Sequence, residues 1–165
     1  MSTYNMILSS NESTVVAEYE PQVKRSDSYQ SEAALEQAFI KMLVEQGYEY
    51  VTIHSEDALI DNLRMQLERL NQYSFTDKEW DSFFKHKIAN HNDGIVEKTR
   101  KIQEDHVQNL TREDGTTMNI SLIDKKNIHN NRLQVMNQYE ENGGKHDTRY
   151  DVTILVNGLP LVHVE

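Results

Sequence analysis

From Ser31 the apolar residues Leu35, Ala38, Phe39, Met42 and Leu43 recur at helical spacing, with Glu32 and Glu36 in the first turns. Gly47 is placed to end that helix. The next segment, YEYVTI at 48–53, is rich in β-formers and predicts a strand. Ser55 then offers an N-cap ahead of Glu56 and Asp57, and Leu59, Leu63, Leu67 and Leu70 make the apolar stripe of a second helix. A third begins at TDKEWDSFFKHKI, where Thr76 and Glu79 have capping-box spacing and Trp80, Phe83, Phe84 and Ile88 share a face. Those aromatic residues suit a core better than a base-stacking platform.

Beyond the third helix the period changes. The Asp114-Gly115 dipeptide is a hairpin signal and predicts strands over about 105–112 and 116–122. RLQVMNQYE predicts a further strand, ENGGKHDT a loop, and RYDVTILV with LPLVHVE a closing pair. Upstream, residues 1–27 predict a flexible N-terminal segment with a short strand at TVVAEY, and residues 28–165 the folded domain. Helices first and strands later give an α/β domain with a mixed sheet.

Charge narrows the functions. With 17 basic and 27 acidic residues among 165, the formal charge is −10, so the average surface repels phosphate and DNA binding by this chain standing alone is disfavoured. The absence of cysteine removes disulfides, thiolate metal sites and cysteine nucleophiles, and fits a reducing compartment. No basic leader with an apolar run and no long apolar stretch occurs, so a cytoplasmic location without membrane contact is expected.

The closing pair, DVTILVNGLPLVHVE, carries an acid near each end, Asp151 and Glu165. A two-residue turn at Asn157-Gly158 sets Val156 opposite Leu159 and Asp151 opposite Val164, with Glu165 on the other face. A three-residue bulged loop instead sets Asp151 opposite Glu165, with β-carbons roughly 4.5–5.5 Å apart. Two carboxylates that close suit Mg²⁺, which polarises phosphoryl groups and supplies hydroxide. Taken alone, the spacing is also that of solvated charges on an edge strand.

The same segment resembles the first part of the PD-(D/E)xK nuclease motif in the restriction and motor (R) subunit of type I restriction-modification systems. SYQSEAALEQAFIKMLVEQGYEYV, NDGIVEKTRKIQED and SLIDKKNIHNNRLQVMNQYE also resemble that subunit's amino-terminal region, in the same order. The resemblance implies a restriction-endonuclease-like fold, with helicase-type ATPase domains following it in the full subunit. It assigns Asp151 and Glu165 as Mg²⁺ ligands and catalytic carboxylates. DNA would be the substrate, and the methyltransferase and specificity subunits the partners. The motif lysine belongs two residues after the glutamate, on the same strand face, and falls past residue 165. The strand therefore reads as cut, the fold as C-terminally truncated, and the chain alone as inactive. A non-catalytic remnant acting as an interaction domain is the alternative.

Other candidates carry less. An acid of the first helix often sits near the metal in this broad fold, which makes Glu32 and Glu36 secondary candidates, although first-turn acids also complement the helix dipole. His163 shares a strand face with Glu165; the other histidines show no paired metal spacing. NGGKHDT fails as a phosphate loop because Tyr139 and His146 stand where glycine and Ser/Thr are required, so ATP is expected only in the full subunit. Lys98, Arg100, Lys101, Lys125 and Lys126 are the most basic places, either a DNA-facing patch or a solvated face.

Overall fold

A computed structural model describes residues 4–9, 15–19, 31–141 and 148–164, with side chains over 31–137 and 151–164. The chain divides into two units, Met1–Glu32 and Ala33–Glu165. In the first, β1 (Tyr4–Ser9) pairs antiparallel with β2 (Val15–Tyr19). The strand expected at TVVAEY is β2; β1 was not anticipated.

Helix α1 (Glu32–Glu45), all but its first residue in the second unit, is followed by a two-residue strand β3 (Glu49–Tyr50). Regular pairing stops there, shorter than YEYVTI predicts, although Val51 N–H still donates to Val135 C=O at 2.9 Å. Helix α2 (Glu56–Asn71) starts where the Ser55 hydroxyl accepts from Ala58 N–H. The predicted capping box at Thr76 and Glu79 is formed at the start of α3 (Asp77–Phe83), which runs on into a π-helical turn, Phe84–Ile88. Helix α4 (Ile95–Gln103) lies in a stretch for which no helix was predicted. Strands β4 (Val107–Thr111) and β5 (Thr117–Ser121) form the predicted hairpin. Strands β6 (Leu133–Glu141), β7 (Thr148–Val156) and β8 (Leu159–Val164) follow, and most of the predicted ENGGKHDT loop lies outside the described residues.

The main sheet has the order β3-β6-β7-β8, parallel between β3 and β6 and antiparallel elsewhere. Helices cover both its faces. Ile40 and Leu43 of α1 pack on Val135 and Val152, whereas Ala58 and Leu59 of α2 pack against the cluster of Ile53, Met136 and Leu155. Val135 and Met136 are neighbours on one strand, so the two clusters mark opposite faces. The expected apolar face of α1 is corrected in part: Leu35 and Met42 are exposed and Ile40 takes the buried place. This is a mixed sheet flanked by helices, consistent with the restriction-endonuclease-like α/β fold.

A larger cluster joins α2 and α3 to β4 and β5 through Leu63, Leu67, Phe75, Trp80, Phe83, Leu110, Ile120 and Leu122. Trp80 and Phe83 each lie within 5.6 Å of Phe75, ring centre to centre, so the aromatic residues are core. Asn71 fastens β5 to α2 by accepting from Ser121 N–H at 2.7 Å and donating to Ser121 C=O at 2.9 Å. Nearby, the buried Glu79 carboxylate accepts from Thr76 N–H, the Tyr73 hydroxyl and Glu113 N–H. The Thr76 amide is the main cause holding its pKa below the usual value, against burial, which raises it; the Tyr73 and Glu113 bonds add to the lowering.

At the β7–β8 turn, Asn157 and Gly158 have φ of 50° and 80°, as a type I′ turn requires, and both are buried. A β-carbon on Gly158 would stand 2.6 Å from Leu63 Cα of α2. Gly158→Ala should therefore cost about 2–4 kcal/mol, combining left-handed strain with overpacking. Gly115→Ala, at φ 81° with nothing within 4 Å, should cost only about 1–2 kcal/mol. Urea midpoints of the two variants check the difference. Because the folded pKa of Glu79 is depressed, its stabilisation is present above the unfolded carboxylate pKa and lost as pH falls through the folded one. Glu79→Gln should cost about 1–3 kcal/mol at pH 7, with the melting-temperature gap to the parent narrowing as pH is lowered through that range.

Candidate functional site

The hairpin resolves the two registers in an unexpected way. Val156 lies opposite Leu159 and Leu155 opposite Pro160, the two-residue-turn register. Farther along, Ile154, Thr153 and Val152 lie opposite Val162, His163 and Val164, one position removed. Leu161 is the extra residue, a β-bulge. The three-residue loop is thus corrected: the turn has two residues, and the shift assigned to a longer loop arises within β8.

The bulge decides which side chains share a face. Val152 and Val164 both join the α1 cluster. Thr153 and His163 point to the other face, where the Thr153 hydroxyl and His163 Nδ1 lie 3.1 Å apart. Asp151, two residues before Thr153, shares that face and is half-buried. No hydrogen bond or ion pair ties its carboxylate to another described residue. Glu165 lies outside the described residues.

The first-helix acids fall elsewhere. Glu32 is exposed. Glu36 Oε1 accepts from Asn137 Nδ2 at 2.6 Å, and Asn137 Oδ1 in turn accepts from the Tyr50 hydroxyl at 2.6 Å. Asn137 is paired with Val152, on the face opposite Asp151. Glu36 therefore has a structural task, tying α1 to β6 and, through Asn137, to β3. Nothing in the sequence flagged Asn137 or Thr153, since a polar residue at one strand position carries no motif.

The basic positions are largely spent within the fold. Lys101 pairs with the Asp93 carboxylate and also donates to Lys87 C=O, Arg100 Nε lies 3.6 Å from Glu104, and Lys125 donates to Gln103 C=O. A solvated, self-paired face describes them better than an open DNA-facing patch.

Among the described residues no group of three His, Asp or Glu side chains is placed to hold a metal ion. Mg²⁺ commonly keeps several waters and takes only one or two carboxylates. The Asp151 carboxylate, a hard oxygen donor without a partner among the described residues, fits that role, while the Thr153 hydroxyl beside it is engaged with His163. Bound there, such an ion would supply Lewis-acid polarisation of a phosphoryl oxygen.

Residues 29–165 match the family model of the type I restriction enzyme R protein N terminus. The chain belongs to that family. It is 46% identical over 160 residues to the type I restriction enzyme EcoprrI endonuclease subunit of Escherichia coli, covering 96% of this chain and 51% of that protein. It is 37% identical over 142 residues to the SsaAORF53P endonuclease subunit of Staphylococcus saprophyticus, covering 83% of this chain and 15% of that protein. The SauCOLORF180P endonuclease subunit of Staphylococcus aureus is likewise 37% identical, over 143 residues, with 84% and 15% covered. The chain therefore spans between 15% and 51% of the length of these R-subunit relatives. Among the described residues no helix is long and apolar enough to cross a membrane.

If Glu36 serves the fold and not the metal, Glu36→Ala should lower stability by about 0.5–1.5 kcal/mol in urea unfolding. Its Mn²⁺ titration should match that of the parent chain.

Proposed function

We propose that this chain, taken by itself, is a non-catalytic unit of the R-subunit family that acts by association with the other restriction subunits. Donor count carries this reading: no three-ligand cluster occurs among the described residues, and Asp151 has a bonded hydroxyl–imidazole pair for neighbours. One or two carboxylates can hold a hydrated divalent ion, yet offer no positive group to offset charge on the transferring phosphoryl.

The hairpin register supports a second reading for a longer subunit. If the pairing continued one position past Val152 and Val164, Asp151 would stand opposite Glu165, which lies outside the described residues. In that setting Asp151 and Glu165 are the Mg²⁺ ligands of an endonuclease acting on double-stranded DNA, with His163 at the margin. A lysine two residues after Glu165 would share their face. ATP-driven translocation, methylation and target recognition belong to further domains and to the methyltransferase and specificity subunits, in the cytoplasm.

Titration calorimetry with Mn²⁺ on the chain and on Asp151→Ala, beside a Mg²⁺-dependent plasmid-nicking assay, tests both readings. The expected result is weak binding lost in the variant, without cleavage by either protein. Asp151-dependent cutting would overturn the non-catalytic reading; binding unaffected by Asp151→Ala would remove Asp151 from the metal site.

A further inference from the structure

The free edge of β4 presents a second site, separate from Asp151. Among the described residues β4 pairs only with β5. Leu122 N–H donates to His106 C=O at 2.7 Å, and Arg112 N–H donates to Thr116 C=O at 2.8 Å. These two bonds and the unbroken register fix residues 106, 108, 110 and 112 as those whose main-chain groups face β5. The amides of Asn109, Thr111 and Glu113 then point to the opposite edge. At Glu113 that edge already receives an anion, because the Glu79 carboxylate of α3 accepts its N–H at 3.3 Å.

Further back along the edge, Asn109 and Thr111 line a cleft of about 180 Å³ together with Ser82, His86 and Lys87. Phe83 and Leu110, both buried, line it as well. Among the described residues no carboxylate lines it, although the chain carries a formal charge of −10. The π-helical turn shapes one wall, with Ala89 N–H reaching Phe84 C=O at 2.8 Å. Lys101 anchors that turn through Lys87 C=O, and among the described residues the Lys87 ammonium has no hydrogen-bond or ion-pair partner. His86 Nδ1 is held 2.7 Å from Ser82 C=O, so Nε2 remains the free ring nitrogen.

We propose that this cleft binds one phosphate group, held by the Asn109 and Thr111 amides and the Lys87 ammonium, with Ser82 and His86 beside it. Main-chain amides and a lysine around an acid-free cleft are the donors a phosphate takes. The group can come from a nucleic-acid backbone or from free phosphate. The inference does not rest on the function proposed for Asp151.

Amide NMR of the full chain tests it in EDTA, which keeps divalent ions from Asp151. Inorganic phosphate and a short duplex oligonucleotide are the two probes. The Asn109 and Thr111 amides should shift saturably with at least one of them. Response to the oligonucleotide alone identifies a backbone phosphate, and response to inorganic phosphate identifies the free ion. Lys87→Gln should weaken the response about tenfold or more, and so should Asn109→Asp, while spectral dispersion is retained. No saturable shift with either probe, or equal affinity in the dispersed spectra of both variants, overturns the site.

Discussion

The turn at Asn157 and Gly158, seated on the backbone of α2, is the constraint around which three parts of the second unit are arranged. Gly158 has no side chain because Leu63 occupies the space. Asn157 uses almost every polar group it owns. Its N–H donates to Arg132 C=O and its Oδ1 accepts from Arg132 N–H, closing the start of β6. Its Nδ2 donates to Leu122 C=O, just past β5, and to Asn131 Oδ1. Helix α2, the main sheet and the β4–β5 hairpin meet at this one buried turn, so it can neither lengthen nor swing without leaving several polar groups unpaired in the interior.

A fixed turn forces the rest of the hairpin to correct its own register. Carried straight through, the two-residue register would set His163 opposite Val152 and turn an imidazole toward Ile40, Leu43 and Val135. Burying that polar ring without partners would cost more than one unpaired residue at the strand edge. The bulge at Leu161 removes the conflict and sends Val162 and Val164 to the α1 side. The same step puts Thr153, His163 and Asp151 together on the other face. The acid's position is thus a by-product of packing on the face it does not occupy.

This explains what could be read from the chain and what could not. Caps and breakers act locally, so Ser55, the Thr76–Glu79 box, Gly115 and Asn157-Gly158 marked their elements correctly. The closing hairpin was legible, and its register nearly so: adjacent apolar residues Leu161 and Val162 interrupt the alternation of LPLVHVE, which is the local trace of a bulge. Helix α4 was not legible because Ile95 and Val96 are exposed and only Ile102 reaches the core, leaving little of an apolar stripe. The short β3 was overestimated for the opposite reason, since YEYVTI has strand composition but only Glu49 and Tyr50 find paired partners. The face that Glu36 serves depends on Asn137, a hundred residues away in sequence, and no local pattern could announce it.

Charge is distributed in a way that the total conceals. Residues 85–132 carry nine basic and seven acidic side chains, so the strongly acidic character belongs to the remainder of the chain. Within that near-neutral stretch the pairings Lys101 with Asp93 and Arg100 with Glu104 absorb charge of both signs. What survives for an incoming anion is less a broad basic surface than single groups such as Lys87, set beside main-chain donors. A phosphate approaching Asp151 instead meets a carboxylate and is repelled unless a divalent ion stands between them. The two proposed sites would therefore make opposite demands of the same kind of ligand: the acidic one would need a cation first, and the cleft by β4 would take the phosphate directly.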